Sequence, residues 1–388
     1  MAKEREAPFR VGGIVEPPYF VGREKDLQIL GQALRTLSQN VLLLGPRRFG
    51  KSSLLWNLRR QAAAEPDLLV PYVHCRDMAA PADLYRGLVQ GLLTELEAKR
   101  RLPGLWERFR LVFTAGVLRA LRALEELGGS LGEWGRVYLR FREAEVDEKA
   151  LIRAAFSYPK RVAEEHGVRV VFLLDEFQEV ARFDGFVFSA LKKELDAPGN
   201  VRFFFSGSSL GLLREVFLRE DSPLFLMVAR YELGPLSREE AVPFVVERLS
   251  RAGYAAEEAV AVRVYELAAG IPFYLQKLGL TLVQRALLLG QRRLSVDDVD
   301  AAFREMLAEL DSEFEVRWLS EFSPLQRRIL RELARGPAGP TALAQALGLK
   351  PQDLSSTLAR LRAEMVLSRT EEGYRLTDAV FARWLAER

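Results

Sequence analysis

Gly45-Pro46-Arg47-Arg48-Phe49-Gly50-Lys51-Ser52 fits the pattern G-x-x-x-x-G-K-[ST] without a mismatch. The flanks fit it as well. Val41–Leu44 is a short apolar run with the character of a buried parallel strand, and residues from Lys51 to about Ala62 have helical periodicity, with Leu54, Leu55 and Leu58 inward. The two glycines let the backbone wrap so that successive N–H groups converge on an anion, and the helix turns its partly positive N-terminus to the same point. Lys51 then neutralises β- and γ-phosphate oxygens, the Ser52 hydroxyl ligates Mg²⁺, and Ser53 completes the set in the first helical turn. A chance match in a tight turn would not explain both flanks. The expected cofactors are ATP, or its product ADP, and Mg²⁺.

Val170–Leu174 is a second buried strand, and it ends in Asp175-Glu176. Asp175 at the strand end is placed to hold the Mg²⁺ through its waters, and Glu176 to orient and deprotonate an attacking water. The bland alternative is a solvated acidic turn. Val201–Phe205 is a third strand and runs into Ser206-Gly207-Ser208-Ser209. A polar side chain at that tip can sense the γ-phosphate; an ordinary Gly/Ser turn fits almost as well. Of these serines Ser206 is favoured, because it directly follows the strand.

The remaining chemistry is bounded by what is scarce. Among 388 residues there is one cysteine, Cys75, and two histidines, His74 and His166. No intrachain disulfide or cysteine metal cage is possible, and Cys75 reads as a small buried residue at a strand end. Net charge is only +3, so any contact with nucleic acid has to come from local clustering. No apolar run is long enough to cross a bilayer, and MAKEREAPFR lacks the apolar stretch of a secretory signal, which predicts a cytoplasmic protein with no membrane contact.

Four regions follow. Residues 1–19 are expected to be an extended arm. Residues 20–235 alternate strand and helix, which predicts an α/β core with a mostly parallel sheet. Within it a helix runs to about Leu37, Leu68–His74 is a strand, long helices run from Ala82 to about Leu127, Gly135–Phe141 is an exposed strand, and Glu148–Glu165 is a helix. After Pro235 the strands are expected to stop, leaving a helical lid over 236–320.

Residues 321–388 read as a winged helix. Leu325, Ile329, Leu330 and Leu333 make one helix face, Thr341 is the expected N-cap of Ala342–Leu347, and Pro351–Glu364 is the next helix. Val366–Thr370 and Tyr374–Thr377 form the wing. From Pro324 onward there are eleven Arg or Lys against seven Asp or Glu, a surplus of four. Lys350, Gln352, Ser355, Ser356 and Arg360 would line the exposed face of a recognition helix for double-stranded DNA. A protein-docking winged helix is the alternative, and the acidic Glu371-Glu372 in the wing favours it.

The strings "FVGREKDLQIL", "LLLGPRRFGKSSLL", "VFLLDEFQEV", "FFFSGSS" and "AAGIPFYLQKLG", in this order, resemble the archaeal-type ATPases of the AAA+ class. That family is allied to the STAND signalling ATPases and to archaeal replication initiators, and the resemblance covers about residues 12–285. It implies a P-loop NTPase (AAA+-type) core in which Phe20, Val21, Gly22 and Arg23 pack near the adenine and Gly270-Ile271-Pro272 sit over the nucleotide. Where the family carries a Gly-Arg pair after "SPL", this chain has Leu226-Met227; the nearest candidate for an arginine finger is Arg230, and Lys277 takes the place of a second sensor. Two tasks fit: ATP hydrolysis coupled to DNA binding, or a STAND-like nucleotide-gated switch that docks a protein partner or a second copy. A kinase is disfavoured by the Asp175-Glu176 strand end.

Overall fold

The computed structural model describes residues 7–99 and 156–388, apart from residues 158, 161, 162, 165, 166, 184, 197, 198 and 209. The helical stretch beyond Lys99, the strand at Gly135–Phe141, most of the helix over Glu148–Glu165, His166 and Ser209 lie outside the described residues.

Helix α1 (Glu24–Thr36) leads to β1 (Val41–Leu44), and α2 (Lys51–Ala62) follows the glycine-rich turn. Next come β2 (Leu68–Leu69), β3 (Tyr72–His74), α3 (Pro81–Lys99), β4 (Arg169–Asp175), the 3-10 turn Phe177–Arg182, α4 (Gly185–Asp196), β5 (Val201–Gly207), α5 (Leu210–Phe217) and β6 (Ala229–Glu232). These strands make one parallel sheet in the order β2-β4-β5-β1-β6, with β3 also pairing β4. Leu42, Leu44, Val170, Phe172, Leu174, Phe203 and Phe205 enter one core, while Val41, Leu43, Val171, Leu173 and Phe204 enter another. That two-residue alternation puts apolar side chains on both faces, as a sheet covered on both sides requires.

Three details differ from the sequence expectation. Leu68–His74 is two strands, because Pro71 interrupts the pairing with β4; its carbonyl accepts from Leu173 N at 2.8 Å. β6 carries no apolar run and is a strand only because it lies beside β1, in the register Leu42↔Arg230. Beyond Pro235, within the region expected to be helical, β7 (Ala255–Ala256) pairs with β8 (Arg293–Leu294), whereas the hairpin near the C-terminus lies where the wing was expected.

The lid comprises α6 (Arg238–Arg251), α7 (Glu258–Ala268), α8 (Pro272–Leu288) and the long α9 (Val296–Glu321). α10 (Pro324–Arg335), α11 (Pro340–Leu347), α12 (Pro351–Ala363), β9 (Leu367–Thr370), β10 (Gly373–Leu376) and α13 (Ala379–Ala386) complete the chain. Capping boxes start α6, α9 and α10: Ser237 with Glu240, Ser295 with Asp298, Ser323 with Gln326. The expected Thr341 cap does not form; α11 starts at Pro340 behind Gly339, whose N-cap position carries no side-chain bond.

One apolar core runs from the Val41/Leu43 face of the sheet through the lid to Leu354, Leu358 and Trp384. The arm belongs to it. Residues 7–19 form neither helix nor strand, yet Phe9 is 1% exposed, edge-on to Phe244 and seated against Gly279, where a Cβ would meet its ring at 2.5 Å. Burying such a ring contributes about 1.5–3 kcal/mol toward holding the segment in place.

Candidate functional site

The strand order reverses around β1, which has β5 on one side and β6 on the other. In open parallel sheets the crevice beyond such a strand end is where a ligand sits. Here the chain leaves Leu44 and turns through Gly45–Gly50, with Arg48 at φ 74° and Gly50 at φ 87°, before α2 begins at Lys51. Gly50 supplies a left-handed turn that a side chain would strain. Arg23, itself buried, ties the turn down by donating to Phe49 O at 3.0 Å and to Gly234 O at 2.7 Å.

A cavity of about 510 Å³ opens over this turn. Its walls include Arg47–Ser53 of the turn and α2, Glu176 and Ser208 of the strand ends, Phe20, Val21 and Arg23 before α1, and Pro272 of the lid. Lys51 is a buried charge on its wall. The ammonium donates to Gly45 O at 2.7 Å and Pro46 O at 2.9 Å, and burial pushes it down to about 8 against the opposing attraction of Glu176 and Asp175. A buried ammonium resting on carbonyls, at a helix start and facing an open cavity, is chemically matched to a polyphosphate.

Asp175 is fully buried. Its carboxylate accepts from Tyr72 Oη at 2.7 Å, from Glu176 N at 3.1 Å and from Ser206 Oγ. Burial and the Asp175 charge hold the Tyr72 phenol far above its ordinary value, which keeps it a donor. Burial likewise raises the thiol of Cys75, whose N–H donates to Asp175 O at 2.8 Å; it is an inert residue in the strand-end scaffold. Glu176, half-buried and at φ 54°, does line the cavity.

The chain matches no protein-family model and no curated relative. Among solved structures it is similar to a Walker-type ATPase of Pyrococcus abyssi, at 18% identity with a TM-score of 0.68, over 97% of this chain and 99% of that one. It is also similar to the ORC2 protein of Aeropyrum pernix in ADPNP–ADP complexes, at 14% identity with a TM-score of 0.59, over 99% and 96% of the two chains. The chain has the fold of these two proteins, an α/β P-loop fold.

Within this fold several candidate residues, fully buried Asp175 among them, lie away from the cavity wall. Ser206 is fully buried against Asp175, and Ser208, two residues on, is the one that lines the cavity. Gly22 packs against Leu236 and Glu240, and Gly45 against Leu233. Pro46 lines a second cavity of about 330 Å³ on the far side of the turn, between α9 and the C-terminal unit. Arg230 is exposed on the sheet edge, and Lys277 pairs with Glu309 of α9.

The arm was missed as a wall of the site. Arg10, Gly12, Gly13, Val15 and Tyr19 line the cavity, and Val15 is clamped to α2 by Ser53 Oγ at 3.1 Å and Asn57 Nδ2 at 2.9 Å. Buried Gln276 of α8 receives Arg10 N at 3.0 Å and donates to Tyr19 O at 2.8 Å, so it spans both ends of the strap. The sequence signal was the apolar set Phe9, Val11, Ile14 and Val15 within the arm.

Proposed function

We propose that the chain binds Mg·ATP in the 510 Å³ cavity and hydrolyses it. The observation that carries this reading is the buried Lys51 ammonium, set at the start of α2 with Glu176 on the same cavity. The residues present fit the nucleotide. The N–H groups of the Arg47–Ser53 segment would hold the phosphates, Ser52 with Asp175 through water would hold the Mg²⁺, and Phe20, Val21 and Pro272 would flank the base. The ion supplies charge neutralisation of the phosphates when bound. Glu176 would take the proton of the attacking water, Ser206 would act through Asp175, and Arg230 would serve a second copy in trans.

Phosphate release measured for wild type, Lys51→Ala and Glu176→Gln tests the reading. Lys51→Ala is expected to bind and turn over no ATP, whereas Glu176→Gln retains Mg·ATP and slows by about 10²–10⁴-fold. Normal turnover in both would refute it.

For the coupled task, DNA binding through residues 321–388 is favoured by Lys350, Gln352, Ser355, Ser356 and Arg360, all exposed on or beside α12. A nucleotide-gated switch is favoured by a different observation: α12 packs on α5 of the ATPase core, where Glu364 approaches Gly211, and Arg360 pairs with Glu364 at 2.9 Å. No described helix is long and apolar enough to cross a membrane.

A further inference from the structure

Gln178 lies in the 3-10 turn that follows β4, and its side chain is 4% exposed. Its amide is read from both ends. Nε2 donates to Glu176 Oε2, while Oε1 accepts from the backbone N–H of Ser208 at 3.2 Å. The Ser208 hydroxyl donates to the same Glu176 oxygen at 2.9 Å, which closes a ring of three residues through the Ser208 backbone. The space Gln178 occupies exists because β5 ends in Gly207: a Cβ there would stand 2.1 Å from Gln178 Oε1. One acceptor and one donor facing the two ends of the amide leave neither a glutamate nor an apolar side chain able to satisfy both.

We propose that Gln178 is a positioning residue for Glu176, resting on the hydrolytic reading above. It occupies Oε2 together with Ser208 and leaves Oε1 to face the water. In the step this serves, the water oxygen bonds to the γ-phosphorus and the bond to the β–γ bridging oxygen breaks. The electron pair leaves on ADP, and the water proton passes to Glu176 Oε1. Through Ser208 the same amide ties the tip of β5 to the base, so displacement of the tip moves the carboxylate.

The test is a double-mutant cycle on purified full-length protein, with kcat, KM and ATP affinity read separately. Gln178→Met keeps the volume and removes both bonds. It is expected to lower kcat by roughly 100-fold, the scale of an ångström-sized misplacement of a reacting group, with ATP affinity unchanged. Ser208→Ala, at a half-buried position, is expected to lower kcat in the same direction. In the Glu176→Gln background Gln178→Met should add nothing, because the group it positions is gone. Normal kcat in Gln178→Met beside an impaired Glu176→Gln overturns the positioning role alone, and so does an equal loss in both backgrounds. Absence of ATP turnover in the wild type overturns the hydrolytic reading and this inference with it.

Discussion

The guanidinium of Arg48, carried by the phosphate loop, donates to the Tyr274 hydroxyl on α8, and that hydroxyl donates to Asp378 Oδ2 of the C-terminal unit at 3.0 Å. Asp378 also receives Arg317 at 3.0 Å and caps α13 by accepting from Phe381 N at 3.0 Å. Arg48 stacks over Phe273 and Tyr274 at 4.5 and 4.9 Å, and Arg47 reaches Glu321 at 3.0 Å. Two arginines of the Gly45–Gly50 turn thus reach the lid and the C-terminal unit.

Tyr274 is fully buried, so Tyr274→Phe removes one hydroxyl from a closed network and leaves Arg48 and Asp378 each short of a partner. The expected loss is about 1–3 kcal/mol of stability, measured by denaturant unfolding. Hydrogen exchange over residues 321–388 should rise in the same variant. Unchanged exchange there would show that the loop and the C-terminal unit are held together without the Tyr274 hydroxyl.

The Lys51 ammonium gives nucleotide binding a pH dependence with a definite sign. In the free protein burial brings it to about 8, and the bound phosphates need it charged. Below that value affinity is expected to be flat. Above it, binding takes up a proton and affinity falls by up to about tenfold per pH unit. Titrating a fluorescent ATP analogue between pH 7 and 9.5 checks this. Lys51→Arg stays charged throughout, so whatever affinity it retains should not show the break.

Gly279→Ala is expected to unseat the arm, because the added Cβ would meet the Phe9 ring at 2.5 Å. Phe9→Ala should do the same by removing the ring, at a cost near 3 kcal/mol. Both variants should expose residues 7–19 to protease and weaken ATP binding, since the strap walls the cavity. Protection that survives in both would mean that the polar contacts hold the arm without the Phe9 ring: Arg248, which donates to Pro8 O at 2.6 Å and Ala7 O at 2.8 Å, with Ser53, Asn57 and Gln276.

On the DNA reading Lys350 is exposed and Arg360 is held by Glu364. Lys350→Ala is expected to flatten the log-salt slope of duplex binding by about 0.9, one phosphate contact. Arg360→Ala should flatten it by less, since its guanidinium has to leave a carboxylate first. Anisotropy across a salt series measures both. If the full chain shows no affinity at low salt, the docked α12 makes the switch reading the better one.

Much of the site was legible because it is local. A phosphate loop needs its glycines, lysine and serine within eight residues of one another, and the strand and helix around it announce themselves by apolar pattern. Asp175 and Glu176 were visible for the same reason, as two carboxylates at the end of a continuous apolar strand. Ser206 against Ser208 was not decidable, because both sit at one strand tip and only the register with β4 buries the first on Asp175 and turns the second to the cavity. β6 was invisible for want of an apolar run; its strand character comes from a neighbour, β1. The sequence by itself determined the chemistry that fits beyond β1, since that depends on backbone shape and charge over a few adjacent residues. The tertiary structure decided which distant groups complete it: the arm through Phe9, Gln276 across the strap, and Asp378 reaching Arg48 through Tyr274 from the other end of the chain. Those contacts join segments hundreds of positions apart, and pairings of that kind are set by how the layers pack and by no local pattern.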